Sequence, residues 1–224
     1  QFFIKGKSDT QISECNDFSD ITHVLTSYPT YMISNKKFLE DIFSNKTYIP
    51  KKWTISQTSK YKDWFIKPIL GSKGDGVIIT NNPLLENTDN CIIQESIKTS
   101  LIDKRKWDLR IYVVHRIINN KFQTWLYIDG LVRLCPEEYN KNCKTTRNMI
   151  TSTDQYQDND DPNKLTKCLE DLDKYNIYLS EIKKKLLDIH KELVKYIYTN
   201  SEFKCENHLM GYDVIMDQYN KLYK

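Results

Sequence analysis

The chain is 224 residues long, with 39% hydrophobic and 28% charged residues and a net charge of +3 from 33 basic and 30 acidic side chains. That length supports one large domain or two lobes around a cleft, and the composition excludes wholesale disorder, a fibrous class and a disulfide-stapled miniprotein. The lysines alternate with Asp and Glu rather than forming a stripe, so nucleic acid is not an expected partner. No 18-residue apolar run or signal peptide stands out, which argues against a membrane span. The six cysteines (Cys15, Cys91, Cys135, Cys143, Cys168 and Cys205) form no C-x-x-C pair, as in a reduced cytosolic or nuclear protein. Alanine is absent and only five of the basic residues are Arg, a bias of AT-rich codons that makes lysine richness a weak functional signal. The chain opens on Gln1 rather than Met, as a fragment of something longer would.

In chain order, residues 33–43 read as a short helix, and Tyr48-Ile-Pro leads into a strand at Trp53-Thr-Ile. Short strands follow at 64–68, 77–80 and 91–95. Residues 107–117 and 122–128 form a hairpin across Asn119-Asn120, and 131–134 continues the sheet after a turn at Asp129-Gly130. The polar stretch 153–164 reads as a mobile, solvated loop. Beyond it, Ile182, Leu186, Ile189, Leu193 and Ile197 recur at spacings of three and four, which predicts a long amphipathic helix on the sheet, with Ser180 as its cap. A last strand at 209–216 ends in a turn at Asp217-Gln-Tyr-Asn. Hairpins with separated helices predict an α+β class with antiparallel sheets.

Three of the six glycines fall within Gly71-Ser72-Lys73-Gly74-Asp75-Gly76, just after Lys67-Pro68. Glycine lets backbone N–H groups approach phosphate oxygens, with Lys67 or Lys73 as countercharge, but a tight turn that needs positive φ explains the run equally. In Lys106-Trp107-Asp108-Leu109-Arg110-Ile111-Tyr112-Val113 polar and apolar residues alternate. Lys106, Asp108 and Arg110 therefore share one strand face and Trp107, Leu109 and Ile111 the other. That polar face suits either solvent or a polyphosphate. Gln94-Glu95-Ser96-Ile97 ends a strand where an amide and backbone groups could read an adenine edge.

Together, W-F-I-K-P at 64–68, the glycine run, I-I-Q-E-S-I at 92–97, K-W-D-L-R-I-Y-V at 106–113 and G-L-V-R at 130–133 resemble the tubulin-tyrosine ligase family, an ATP-grasp group, over about 27–216. The resemblance implies an ATP-grasp fold in which two lobes, 1–98 and 99–224, hold ATP between antiparallel sheets. It implies that Lys37 and Lys67 contact phosphates beside Ser72, Lys73, Gly74 and Gly76, that Gln94, Glu95 and Ile97 surround the adenine, and that Lys106 and Asp108 hold the nucleotide. Arg110 and Arg133 would face the transferring phosphate or a substrate carboxylate, and Asp213 would be the first Mg²⁺ carboxylate. The implied reaction is ATP-dependent joining of Tyr, Glu or Gly to a carboxylate of tubulin or another acidic tail through an acyl phosphate. The implied setting is a cytoplasmic, cytoskeleton-associated monomer.

The sequence also departs from the family. Of the family's His-Leu-Thr-Asn only Thr151 is kept, in Met149-Ile150-Thr151-Ser152. The family's Glu-x-Asn, which supplies the remaining metal ligands, belongs on the strand after Asp213, where the given residues end at Lys224. A nucleotide-binding pseudoenzyme and a small-molecule ATP-grasp ligase or kinase stay open as alternatives. Lys73-Gly-Asp-Gly also matches the K-x-D-G of nucleotidyl-transferring ligases, but no E-G-x-V-x-K strand accompanies it. The cysteines and His23, His115, His190 and His208 show no zinc spacing.

Overall fold

In the computed structural model, residues 36–58, 62–70, 74–118, 121–175, 177–199, 207–219 and 221–223 are described. Strand pleating builds the first sheet. Strands β1 (Lys52–Trp53), β2 (Trp64–Pro68), β3 (Ile78–Thr80) and β4 (Cys91–Glu95) pair antiparallel in the order β1-β4-β2-β3. With Ile66 opposite Ile93, the buried Trp64, Ile66 and Ile93 share a face and pack with Trp53, Ile55, Ile78 and Cys91. Phe65, Lys67 and Gln94 therefore point to the other face.

The second sheet runs β7 (Thr166–Cys168), β6 (Lys121–Leu134), β5 (Trp107–Ile118), β8 (Asn207–Met216) and β9 (Leu222–Tyr223), again antiparallel. The alternation read from the sequence is realised here. Trp107, Leu109, Ile111 and Val113 are buried in one cluster with Ile182, Leu186, Ile189 and Leu193 of the long helix, while Asp108 and Arg110 face the opposite way. Among the described residues four α-helices accompany the sheets: α1 (Lys36–Phe43), the single turns α2 (Thr146–Met149) and α3 (Pro162–Leu165), and the long α4 (Leu179–Thr199). His190 Nδ1 of α4 lies 2.7 Å from the Tyr212 hydroxyl of β8, which ties that helix to the sheet.

The sheets lie on either side of residues 96–106, where Trp107 Nε1 donates to Ser100 O and Gln218 N to Lys98 O. Helix α1 precedes the first sheet and touches both: Lys36 and Glu40 contact β2 and β4, and Phe43 joins the core of the second sheet. Phe43 meets Tyr196 of α4 edge-on at 5.2 Å, and the Tyr48 hydroxyl donates to Glu192.

Four local expectations change. Helix α4 starts at Leu179, so Ser180 lies inside its first turn and is not the cap. Trp53-Thr-Ile yields only a two-residue strand, because Ile55–Gln57 coils into a 3₁₀ turn capped by Thr54 and Gln57. The stretch 153–164 is largely exposed but is not all loop: it holds a 3₁₀ turn at Thr153–Gln155 and the start of α3, Arg147 donates to Gln155 O and to both oxygens of Asp160, and Asp161 caps α3. Asp129-Gly130 is no turn but lies within β6, at a register shift opposite Ile111 and Val113. A side chain at Gly130 would bring Cβ within 2.5 Å of Arg110 O, so glycine lets the strand bulge and continue instead of reversing. Gly130→Ala should consequently lower stability by about 1–3 kcal/mol, read as a reduced urea midpoint at unchanged slope. The Asn119-Asn120 turn lies outside the described residues, although Ile118 and Lys121 pair on either side of it.

Candidate functional site

Strand register assembles the first half of the site. Asp108 of β5 sits opposite Arg133 of β6, and Arg110 of β5 opposite Asp213 of β8, so four charged side chains emerge on one face of three adjacent strands. Arg133 meets Asp108 with Nε to Oδ1 at 2.8 Å and Nη2 to Oδ2 at 2.5 Å, a two-pronged contact. The same Nη2 reaches Asp213 Oδ1 at 2.7 Å. Arg110 grips Asp213 likewise, with Nε at 2.6 Å and Nη2 at 3.0 Å. Asp108 is only 6% exposed, whereas the Asp213 side chain is 53% exposed and forms the open end of the array. Burial disfavours the Arg133 charge, but Asp108 and Asp213 outweigh it and raise its pKa. Burial pushes the Asp108 carboxyl up, opposed by Arg133 and by a hydrogen bond from Thr151.

A second polar group lies on the first sheet. Lys67 Nζ donates to Gln94 Oε1 at 2.8 Å, and Gln94 Nε2 donates to Glu40 Oε1 of α1. Burial pulls the Lys67 ammonium down to about 8, partly offset by Glu40 and reinforced by Lys36. Lys106 lies at the junction. Its Nζ contacts Ser96 Oγ at 3.3 Å and Ile97 O at 3.5 Å, stands 5.3 Å over the Tyr139 ring, and is lowered in pKa by burial. The Lys144–Asp63 ion pair at 3.0 Å also joins the two halves.

The glycine run contributes through Gly74 and Gly76, which have φ of +83° and +65°. The Gly74 turn abuts Ile150, the neighbour of Thr151, so it reaches from the first sheet to the segment that contacts Asp108. Ser72 and Lys73 lie outside the described residues.

Two expected contacts point elsewhere. Glu95 shares its strand face with Ile93 and pairs with Lys62 at 2.7 Å, so its side chain points away from Lys67 and Gln94. Lys37 is exposed on α1, whereas the neighbouring Lys36 turns inward and donates to Pro68 O at 3.0 Å. Lys36 and Glu40 join this polar group without standing out in the sequence. The signal for them is their spacing with Phe43, which places two charged residues at i, i+4 and i+7 with a core residue on one helix face.

A family model described as the tubulin-tyrosine ligase family matches residues 13–221. Among curated proteins, human tubulin polyglutamylase TTLL7 is 31% identical over 151 residues, covering 58% of this chain and 17% of that protein. Human tubulin polyglutamylase TTLL5 is 30% identical over 116 residues, 50% of this chain and 9% of that protein. Mouse tubulin polyglutamylase TTLL11 is 26% identical over 157 residues, 59% of this chain and 21% of that protein. The aligned chain thus spans less than a quarter of each of these relatives.

Proposed function

The chain belongs to the tubulin-tyrosine ligase family, and from that premise we propose that it is the nucleotide-binding part of an ATP-dependent ligase that joins an amino acid to a carboxylate of an acidic protein tail. The observation that carries this reading is the array of Asp108, Arg110, Arg133 and Asp213, four charges held on rigid strands with the charge balanced before any ligand enters. A surface with no ligand to meet gains little from ordering such a set. The names of the curated relatives favour tubulin as the protein substrate and glutamate as the added residue.

In this reading ATP phosphorylates a carboxylate, ADP leaves, and an amine attacks the acyl phosphate, so that one amide forms and phosphate departs. Lys67 would lie along the ATP phosphates, with Gln94 and the Ile97 backbone at the adenine and Lys106 and Asp108 around the ribose and phosphates. Arg110 spends Nε and Nη2 on Asp213, leaving Nη1, which lies over Gly211, for an acceptor carboxylate. Arg133 stiffens the array and stands next to the same acceptor.

Among the described residues no cluster of three or more His, Cys, Asp or Glu could hold a metal ion. Asp213 is half-exposed, and Mg²⁺ held there would take most of its ligands from phosphate and water, with the guanidiniums of Arg110 and Arg133 turning away from the oxygens they now hold. Bound there, Mg²⁺ would neutralise charge on the transferring phosphate. The capture of Asp213 by two guanidiniums also supports a second reading, a non-catalytic nucleotide-binding member.

The deciding experiment incubates the full-length protein with ATP, Mg²⁺, tubulin and a mixture of tyrosine, glutamate and glycine, followed by mass spectrometry of the tubulin tails. Tails extended by glutamate support the ligase, whereas unmodified tails with ATP still bound support the second reading. For the nucleotide site itself, a hundredfold excess of ATP over Kd should stabilise the folded chain by about 2.7 kcal/mol. Lys67→Ala should remove most of that gain in a thermal-shift assay, and an undiminished shift would place Lys67 away from the phosphates.

A further inference from the structure

Glu40 is 3% exposed, lies on the inward face of α1, and its Oε2 finds no hydrogen-bond partner among the described residues. Leaving a carboxylate there is costly, and burial pushes its carboxyl up against the opposing influence of Gln94, Lys52 and Lys67. Its contact with Gln94 has a logic of its own. An ionised carboxylate only accepts and an ammonium only donates. A glutamine between them satisfies both in one orientation alone, with the amide NH₂ on Glu40 and the carbonyl on Lys67.

We propose that Glu40 is a positioning residue for base selection: by taking the Gln94 NH₂ it turns the Gln94 carbonyl toward the ligand, so that the site selects a purine with an amino rather than an oxo group at C6. The inference rests on the reading of Lys67 and Gln94 as nucleotide contacts. When Lys67 moves onto phosphate, Gln94 Oε1 is left as an acceptor. The 6-amino group of adenine donates to it, while the 6-oxo group of guanine presents a second acceptor and is rejected. A glutamine at position 40 would fill the same volume without the charge, but could meet Gln94 either way round and would leave its amide unfixed. The charged groups around this chain are Lys36 and Asp41 on α1, Lys52 on β1 and Lys67 on β2.

The test measures Kd for ATP and for GTP by calorimetry in the wild type, in Glu40→Gln and in the exchange Glu40→Gln/Gln94→Glu, with unfolding midpoints as the control for folding. Wild type should prefer ATP, and Glu40→Gln should narrow that preference by about tenfold. The exchange should restore it, because Gln at 40 then donates to Glu at 94, which still offers an acceptor. A preference left unchanged in Glu40→Gln overturns the proposal. A ligand-free arm follows the Lys67 Cε resonance by ¹³C NMR. Removal of the Glu40 charge should move the Lys67 midpoint down, and an unmoved midpoint with ATP binding intact overturns this inference alone. Absence of ATP binding in the wild type overturns the nucleotide reading together with it.

Discussion

Replacing Arg133 with alanine should cost about 3–5 kcal/mol of unfolding free energy at pH 7, measured by urea denaturation. The loss comes from what remains behind. Asp108 is 6% exposed, and Arg133 meets both of its oxygens, so the variant strands a carboxylate in a site that water barely reaches. Arg133→Lys should cost less, because an ammonium keeps the charge, but it cannot present the flat fork that meets Asp108 with two nitrogens while touching Asp213. The pH dependence follows from the direction of the Asp108 shift. Burial already raises that carboxyl in the wild type, with Arg133 opposing it, and without Arg133 the rise is larger. An acid whose folded pKa lies above its unfolded value is destabilising above the folded pKa and is relieved as pH falls through it. The gap between variant and wild type should therefore be widest near neutrality and narrow toward pH 4. A loss under 1 kcal/mol, or a gap that does not vary with pH, would show that the Arg133–Asp108 pair exchanges freely with solvent.

The same array marks the boundary of what the sequence could disclose. The period-two alternation across Trp107 to Ile111 sorted the core side from the polar side, because pleating alone enforces it. Which carboxylate each guanidinium would meet was not legible, since Asp108 and Arg133 are 25 residues apart and Arg110 and Asp213 are 103 apart. Those partners depend on strand register, and the β6 register includes a shift that Asp129-Gly130 disguised as a turn. On α1 the obstacle was angular. One residue turns a helix by about 100°, so Lys36 faces Pro68 while Lys37 faces solvent, and nothing local tells the two lysines apart before Phe43 is known to be buried.

The two polar groups differ in how their charge is balanced. Around Asp108, two guanidiniums oppose two carboxylates by direct contact, and the array is neutral in sum. Among the described residues, Lys67 meets no carboxylate directly. Its neighbour is the neutral Gln94 carbonyl, and Glu40 acts from beyond that amide. Such a lysine holds its proton loosely until an anion arrives, whereas Arg110 and Arg133 stay charged throughout.

ATP affinity should consequently fall as pH rises through about 8. Burial sets the Lys67 ammonium near that value, well under the ordinary 10.5. Below pH 8 the free protein already carries the charge that the phosphates require. Above it the site is neutral, and binding must take up a proton, because adjacent phosphates raise the pKa of the bound state. Kd then increases by up to tenfold per pH unit until the bound-state pKa is reached, so that affinity at pH 9.5 should be about ten- to thirtyfold weaker than at pH 7. The terminal phosphate of ATP does not confuse the reading, because a phosphate monoester loses its last proton near pH 6, under the window. Calorimetry in buffers of different ionisation enthalpy should show uptake approaching one proton per ATP at pH 9. Lys67→Arg supplies the control: a guanidinium remains charged across the range, so its profile should be flat even if its affinity is lower. A wild-type profile as flat as that of Lys67→Arg would mean that the phosphates are met by some other cation of the site, with Lys36 and Lys106, both lowered by burial, the next to be replaced.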